Sequence, residues 1–174
     1  MQTIQEPTLV NAFRANIPVS IPADEKQLPP TLDLLKKQPP NEPLIYQPHW
    51  ISGGAKHPGL IVETSGLANV APPPIIYRPH LPHILNDNGL ISAVQFERVI
   101  YAGQAHEQRL ACGARAGISI GDGTGAGKTA TLAGIILDNW FRGNRKTVWF
   151  SVKTDLIESV REEFARLGFR APIR

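Results

Sequence analysis

The chain has a single cysteine, Cys112, among its 174 residues. One thiol cannot close a disulfide within the chain, so a disulfide-stapled secreted fold is excluded and a reducing, cytoplasmic setting is expected. A lone cysteine after an apolar helix reads as packing rather than redox chemistry. No apolar run reaches the length of a membrane span, so no membrane partner is expected. The N-terminus, Met1 to Pro7, carries neither a basic stretch nor an apolar core, and it does not read as a secretory signal. A strong excess of either charge is also missing, with 18 basic and 15 acidic side chains. The small excess is placed unevenly: residues 1–120 carry nine of each sign, and residues 121–174 carry nine basic and six acidic. That placement is compatible with a nucleotide or nucleic-acid partner. His80 and His83 have metal-ligand spacing, but no second pair of Cys or His joins them, so a metal site is not expected there.

Proline, by contrast, is plentiful: nine of the 16 prolines lie in the first fifty residues. Pro29-Pro30, Pro39-Pro40, Pro43 and Pro48 break any long helix. Residues 1–56 therefore read as a proline-rich, mostly irregular arm, a linker in preference to a partner-binding segment. A short helix over 31–37, capped by Thr31, fits within it. Tyr46, Trp50 and Ile51 suggest that its end docks on something. Residues 57–174 read as that domain. Leu60–Thr64 and Ile75–Tyr77 are strand candidates, separated by the stiff spacer Pro72-Pro73-Pro74. The turn signal Asn86-Asp87-Asn88-Gly89 precedes a helix capped by Ser92 and running to about Leu110, with Phe96, Val99, Ile100 and Gly103 on one face.

The most informative stretch is Gly121-Asp122-Gly123-Thr124-Gly125-Ala126-Gly127-Lys128-Thr129. It follows the apolar run Ala116–Ile120 and precedes a helical pattern over Ala130–Trp140. Strand, glycine-rich turn and helix in that order form the context of a P-loop. The backbone of Gly123, Thr124, Gly125, Ala126 and Gly127 would cradle phosphate, aided by the positive end of the helix dipole. Lys128 would reach the β- and γ-phosphates of a nucleotide, and the Thr129 hydroxyl would bind magnesium. One position departs from the pattern: Asp122 stands where the first glycine belongs, one place after Gly121.

Beyond the P-loop helix, Gly143-Asn144 marks a stop. Thr147–Val152 is a continuous β-prone run and reads as a strand buried on both faces. Asp155 with Glu158 resembles a capping box, followed by a helix with Leu156, Val160, Phe164 and Leu167 as its apolar stripe. Strand–helix–strand–helix predicts an α/β fold with a parallel sheet and flanking helices. That sheet is incomplete. Hydrolysis also needs an acidic residue at the end of a neighbouring strand, and Asp138, Asp155, Glu158, Glu162 and Glu163 all fall in helices or at caps. The chain is therefore expected to be the N-terminal part of a longer protein or a truncated gene, inactive alone, with the missing half of the ATPase supplied from downstream.

Taken together, Gly121–Lys128, Ala133–Asn139 and Val148–Val152 resemble the strawberry notch family, which is related to superfamily 2 helicases. The likeness extends upstream through His57-Pro58, Val62–Ser65, Ile91–Gln95 and Tyr101–Glu107, and covers roughly residues 57–170. The Gly-Asp-Gly opening of the loop is a mark of that family. Many of its members have glycine after the lysine, so Thr129 is a departure that restores the usual magnesium-binding hydroxyl. The resemblance implies an incomplete recombinase-like, helicase-type P-loop NTPase domain that uses ATP and Mg2+ and acts on nucleic acid, DNA in preference to RNA. It also implies that Gln95 reads the adenine edge, which an amide can do by donating and accepting at once. From the residues alone, Ser92-x-x-Gln95 reads in preference as a capping box, with Gln95 bonded back to the Ser92 backbone. Tyr77 is a weaker candidate for stacking on the base. Ser151, Lys153 and Thr154, just past the second strand, lie where the resemblance places contacts to a single-strand backbone; helix capping is the competing reading. Arg142, Arg145 and Lys146 read as ordinary cations at a helix C-terminus. Two other functions stay open: a different P-loop NTPase such as a small kinase, and a non-catalytic fragment or interaction module.

Overall fold

The computed structural model describes residues 44–48, 51, 55–63 and 65–170. Most of the proline-rich arm, with its expected helix over 31–37 and Trp50, lies outside the described residues. Two strands, β1 (Leu44–Ile45) and β2 (Val62–Glu63), pair antiparallel, Leu44 opposite Glu63 and Ile45 opposite Val62. Among the described residues five helices follow: α1 (Ser65–Ala68), α2 (His83–Asp87), α3 (Ala93–Glu107), α4 (Lys128–Phe141) and α5 (Leu156–Arg166).

The core is built where α3 packs on α4 and α4 on α5. The stripe of α3 falls as its spacing requires: Phe96, Val99, Ile100 and Gly103 are buried. They meet Ala133 and Leu137 of α4 and Val160, Phe164 and Leu167 at the end of the chain. Phe141 and Phe169 close one side edge-to-face, with ring centroids 5.6 Å apart. Burying a large aliphatic or aromatic side chain contributes roughly 1.5–3 kcal/mol, so this three-helix seam holds the domain. The segment before α2 is extended without being paired, yet it buries Ile75 and Tyr77.

Tyr77 lies against Gly103. A Cβ at Gly103 would stand 2.1 Å from Tyr77 Cε1, so only glycine lets the ring lie flat on α3. Gly103→Ala is expected to lower stability by about 1–3 kcal/mol, the usual range for overpacking, read as a lower denaturant midpoint at unchanged slope.

Three expected strands are corrected. Ile75–Tyr77, Ala116–Ile120 and Thr147–Val152 form no ladder among the described residues. Val148, Phe150 and Val152 are 75%, 91% and 100% exposed, the opposite of a strand buried on both faces. A parallel strand owes its burial to neighbours on each edge, and the described residues hold only the β1–β2 pair. The Asp155–Glu158 capping box is also absent. Asp155 is the N-cap residue but adopts helical backbone angles, and its side chain caps nothing; α5 is held instead by Val160 and Phe164, while Leu156 is exposed. The stop read at Gly143 is present, at φ 94° after α4, and Gly168 at φ 83° follows α5.

His106, in the last turn of α3, has a buried Nδ1 with no hydrogen-bond partner among the described residues. Burial, then the charges of Arg115 and Arg142, hold its pKa below 6.5. The folded state thus binds this proton less readily than the unfolded state. Stability is full above pH 6.5 and falls as the pH drops through and below it. Urea midpoints measured at pH 7.5 and pH 5.5 should converge in His106→Gln relative to the unmodified chain.

Candidate phosphate-binding site

Residue 127 favours glycine chiefly through its backbone angles. It caps α4 in the left-handed region, φ 68° and ψ 39°, which costs a residue with a Cβ about 1 kcal/mol or more. A Cβ there would also lie 2.2 Å from Gln95 Nε2. Gly125, at φ 86°, makes the preceding bend. The Ala126 N–H donates to the Gly123 carbonyl at 3.4 Å, and the Thr131 N–H donates to the Gly127 carbonyl at 3.2 Å, which joins loop to helix. Gly123, Thr124 and Gly125 are exposed, Ala126 is buried, and Lys128 and Thr129 are half-buried. The loop therefore opens outward while its helix is anchored in the core.

Lys128 turns back over the loop, its Nζ donating to the carbonyls of Asp122 and Gly123, each at 2.8 Å. The ammonium group thus sits among the residues expected to hold phosphate. Next to it, the first turn of the 14-residue helix α4 presents amides with no partner inside the helix and the positive end of the dipole. A cation, free helical amides and a glycine-rich opening are the donor set that a polyphosphate needs. Thr129, one residue further on, supplies an oxygen of the type that binds Mg2+.

Gln95 has the partners of its capping reading, and its amide also touches the glycine loop. Its Oε1 accepts from the Ser92 N–H at 3.0 Å while Ser92 Oγ accepts from the Gln95 N–H at 3.3 Å, a complete capping box. Its Nε2 donates to the Gly127 carbonyl at 3.4 Å. The side chain thus bridges the start of α3 and the P-loop. Tyr77 is a correction. It is 3% exposed and donates to Asp138 Oδ2 at 2.5 Å, with the Arg142 guanidinium 5.4 Å from its ring centroid, so no face is left for a base. Its hydroxyl pKa is raised by burial and by Asp138.

Ser151, Lys153 and Thr154 are exposed in a turn before α5. Ser151 Oγ donates to the Lys153 carbonyl at 3.0 Å, and Thr154 Oγ1 donates to Asp155 at 3.5 Å. These bonds stay within the turn and do not join it to the P-loop. At the other end of α4, Arg142 pairs with Glu107 at 3.1 Å and Arg145 lies over the Trp140 ring at 5.6 Å.

Sequence reasoning missed Arg98. It grips the Asp122 carboxylate from α3, with an Nη2 donor to Oδ1 at 2.7 Å and Nε 2.6 Å from Oδ2. An acid in a glycine position was the available signal, because a half-buried carboxylate needs a cation.

The family model for "P-loop containing NTP hydrolase pore-1" matches residues 56–173. Among curated relatives, strawberry notch homolog 1 of Gallus gallus is 43% identical over 123 residues, 71% of this chain and 10% of that protein. Strawberry notch homolog 2 of Homo sapiens is 50% identical over 111 residues, 64% of this chain and 8% of that protein. Strawberry notch of Drosophila melanogaster is 42% identical over 123 residues, 71% of this chain and 7% of that protein. The chain thus spans a tenth or less of the length of these relatives. No solved structure matches it. The glycine loop closed by Lys128 lies within the matched residues, and the chain belongs to the strawberry notch-like family of P-loop NTP hydrolases.

Proposed function

We propose that this chain provides the phosphate-binding half of a helicase-like motor that binds ATP with Mg2+ and, in the complete protein, hydrolyses it while acting on nucleic acid, DNA in preference to RNA. The observation that carries the reading is the loop 123–127 running into α4, with Lys128 Nζ on the loop's own carbonyls. In this reading Gly123, Thr124, Gly125, Ala126, Gly127 and Lys128 hold the phosphates, and Thr129 holds the magnesium ion. Gln95, already against Gly127, turns its amide to adenine when nucleotide arrives.

Residues 57–174 form the first part of the motor domain and residues 1–56 its arm. The acid that helps hold magnesium comes from chain outside these residues, as do the strands that would cover 116–120 and 147–152 in a parallel sheet. The exposed runs at Val148–Val152 support this, since β-prone apolar segments left in water mark an unfilled edge. Ser151, Lys153 and Thr154, exposed at the end of that run, contact the nucleic-acid backbone. The chain alone binds nucleotide without turnover, in a cytoplasmic setting; no helix among the described residues is long and apolar enough to cross a membrane.

Calorimetric titration with a slowly hydrolysed ATP analogue tests the reading. Saturable binding that weakens when magnesium is withdrawn is the expected result. Absence of any saturable heat, in a chain whose circular dichroism shows folded helices, would overturn it.

A further inference from the structure

We propose that Arg98 and Asp122 are a positioning pair for nucleotide binding, the ion pair standing in for the glycine that a P-loop ordinarily carries at this point. The inference rests on the reading of this loop as a phosphate site. Asp122 opens the loop, and its backbone carbonyl is one of the two on which Lys128 Nζ rests. Its side chain is 13% exposed and that of Arg98 18%, so the pair is largely out of water. One directed hydrogen bond, Nη2 to Oδ1, is backed by an ion-pair contact of Nε with Oδ2, and a charge-assisted bond out of water holds a carboxylate firmly.

Arg98 is itself held from other sides. Its Nη1 donates to the Val94 carbonyl at 2.9 Å, within α3. Its guanidinium lies 5.6 Å from the centroid of the Tyr46 ring, and the Tyr46 hydroxyl donates to Glu97 on the same helix. An arginine gripped in this way cannot follow a moving loop, so the loop follows the arginine. A mechanical path runs from α3 through the Arg98 guanidinium and the Asp122 carboxylate to the Asp122 carbonyl and Lys128. A glycine would leave the opening of the loop free; an aspartate tied to a helix sets its curl before nucleotide arrives. The pair also solves an electrostatic problem. A bare carboxylate beside an incoming polyphosphate repels it, and Arg98 cancels that charge at contact distance.

The test compares Arg98→Gln, Arg98→Lys, Asp122→Asn, the double variant Arg98→Gln/Asp122→Asn and the charge-swapped Arg98→Asp/Asp122→Arg. Affinity for a fluorescent ATP analogue with magnesium is measured well below each variant's melting temperature, so that lost stability does not enter. Arg98→Gln should weaken binding about tenfold or more, the size of coupling expected within one ion-pair network. Arg98→Lys should fall between it and the unmodified chain. The double and swapped variants should bind more tightly than Arg98→Gln, because the uncompensated carboxylate is gone. Equal affinity across the set, or losses that simply add, would overturn the proposal. Hydrogen exchange of the amides of residues 121–127 separates this failure from failure of the phosphate reading. If the unmodified chain binds no nucleotide, the phosphate reading falls. The tether then stands only if Arg98→Gln speeds exchange in the loop and not in α4, and unchanged loop exchange sinks it.

Discussion

Lys128→Ala should weaken nucleotide binding by about a hundredfold while leaving the fold intact. A hydrogen bond to a charged group contributes about 1.5–3 kcal/mol, and a loss near the top of that range is roughly two decades of affinity. Lys128 is half-buried, and its Nζ donates to the carbonyls of Asp122 and Gly123. The Gly123 carbonyl is exposed, where water replaces the lost donor, and the Asp122 carbonyl is part-buried, so the stability cost stays within about 1–2 kcal/mol. Fluorescence titration beside a thermal melt separates the two effects. Affinity unchanged within threefold would show that the loop does not hold phosphate through this side chain. Lys128→Arg keeps the charge but spreads it over a planar fork, and an intermediate loss is expected.

Asp138→Ala should be the most costly of these substitutions for stability, at about 3 kcal/mol. Asp138 is 1% exposed. Its Oδ2 accepts from Tyr77 and its Oδ1 accepts from the His80 N–H at 2.5 Å. Alanine leaves both donors without their partner: the Tyr77 hydroxyl is buried, the His80 N–H only part-buried, and a buried orphan costs about 1–3 kcal/mol. Burial raises the Asp138 pKa, while the bonds from Tyr77 and His80 and the Arg142 charge pull it down. Asp138→Asn keeps an acceptor for one of the donors and should lose only about 1–2 kcal/mol. Urea unfolding of the two variants gives the comparison. The contact staples the 75–80 segment to α4, the helix that carries the P-loop at its other end, so affinity below the melting temperature should change little. A large affinity loss in fully folded Asp138→Ala would mean that this staple also sets the loop.

These two sites differ in how far the sequence disclosed them. Lys128, its glycines and the helix behind it were legible because a P-loop is a local pattern, with every part within ten residues. The Ser92–Gln95 box and the stripe Phe96, Val99, Ile100, Gly103 were legible for the same reason, since both follow from helical spacing. Asp138 looked like an ordinary helix acid. Its partner Tyr77 lies 61 residues away, and no spacing rule reaches that far. Arg98 and Asp122 are 24 residues apart and sit on different elements. The strand at Thr147–Val152 was misjudged in its burial because propensity reports what a segment favours, whereas burial depends on neighbours. Its composition is that of an inner strand, and the described residues supply nothing to lie beside it.

The central claim is that residues 123–129 are a phosphate site, and backbone amide NMR tests it most directly. Adding magnesium and ADP to isotope-labelled chain should move the amide signals of Gly123 through Thr129 first and furthest, with smaller movement at Gln95 and little in α5. Saturating shifts centred elsewhere, or none in the loop at millimolar nucleotide, would contradict the account.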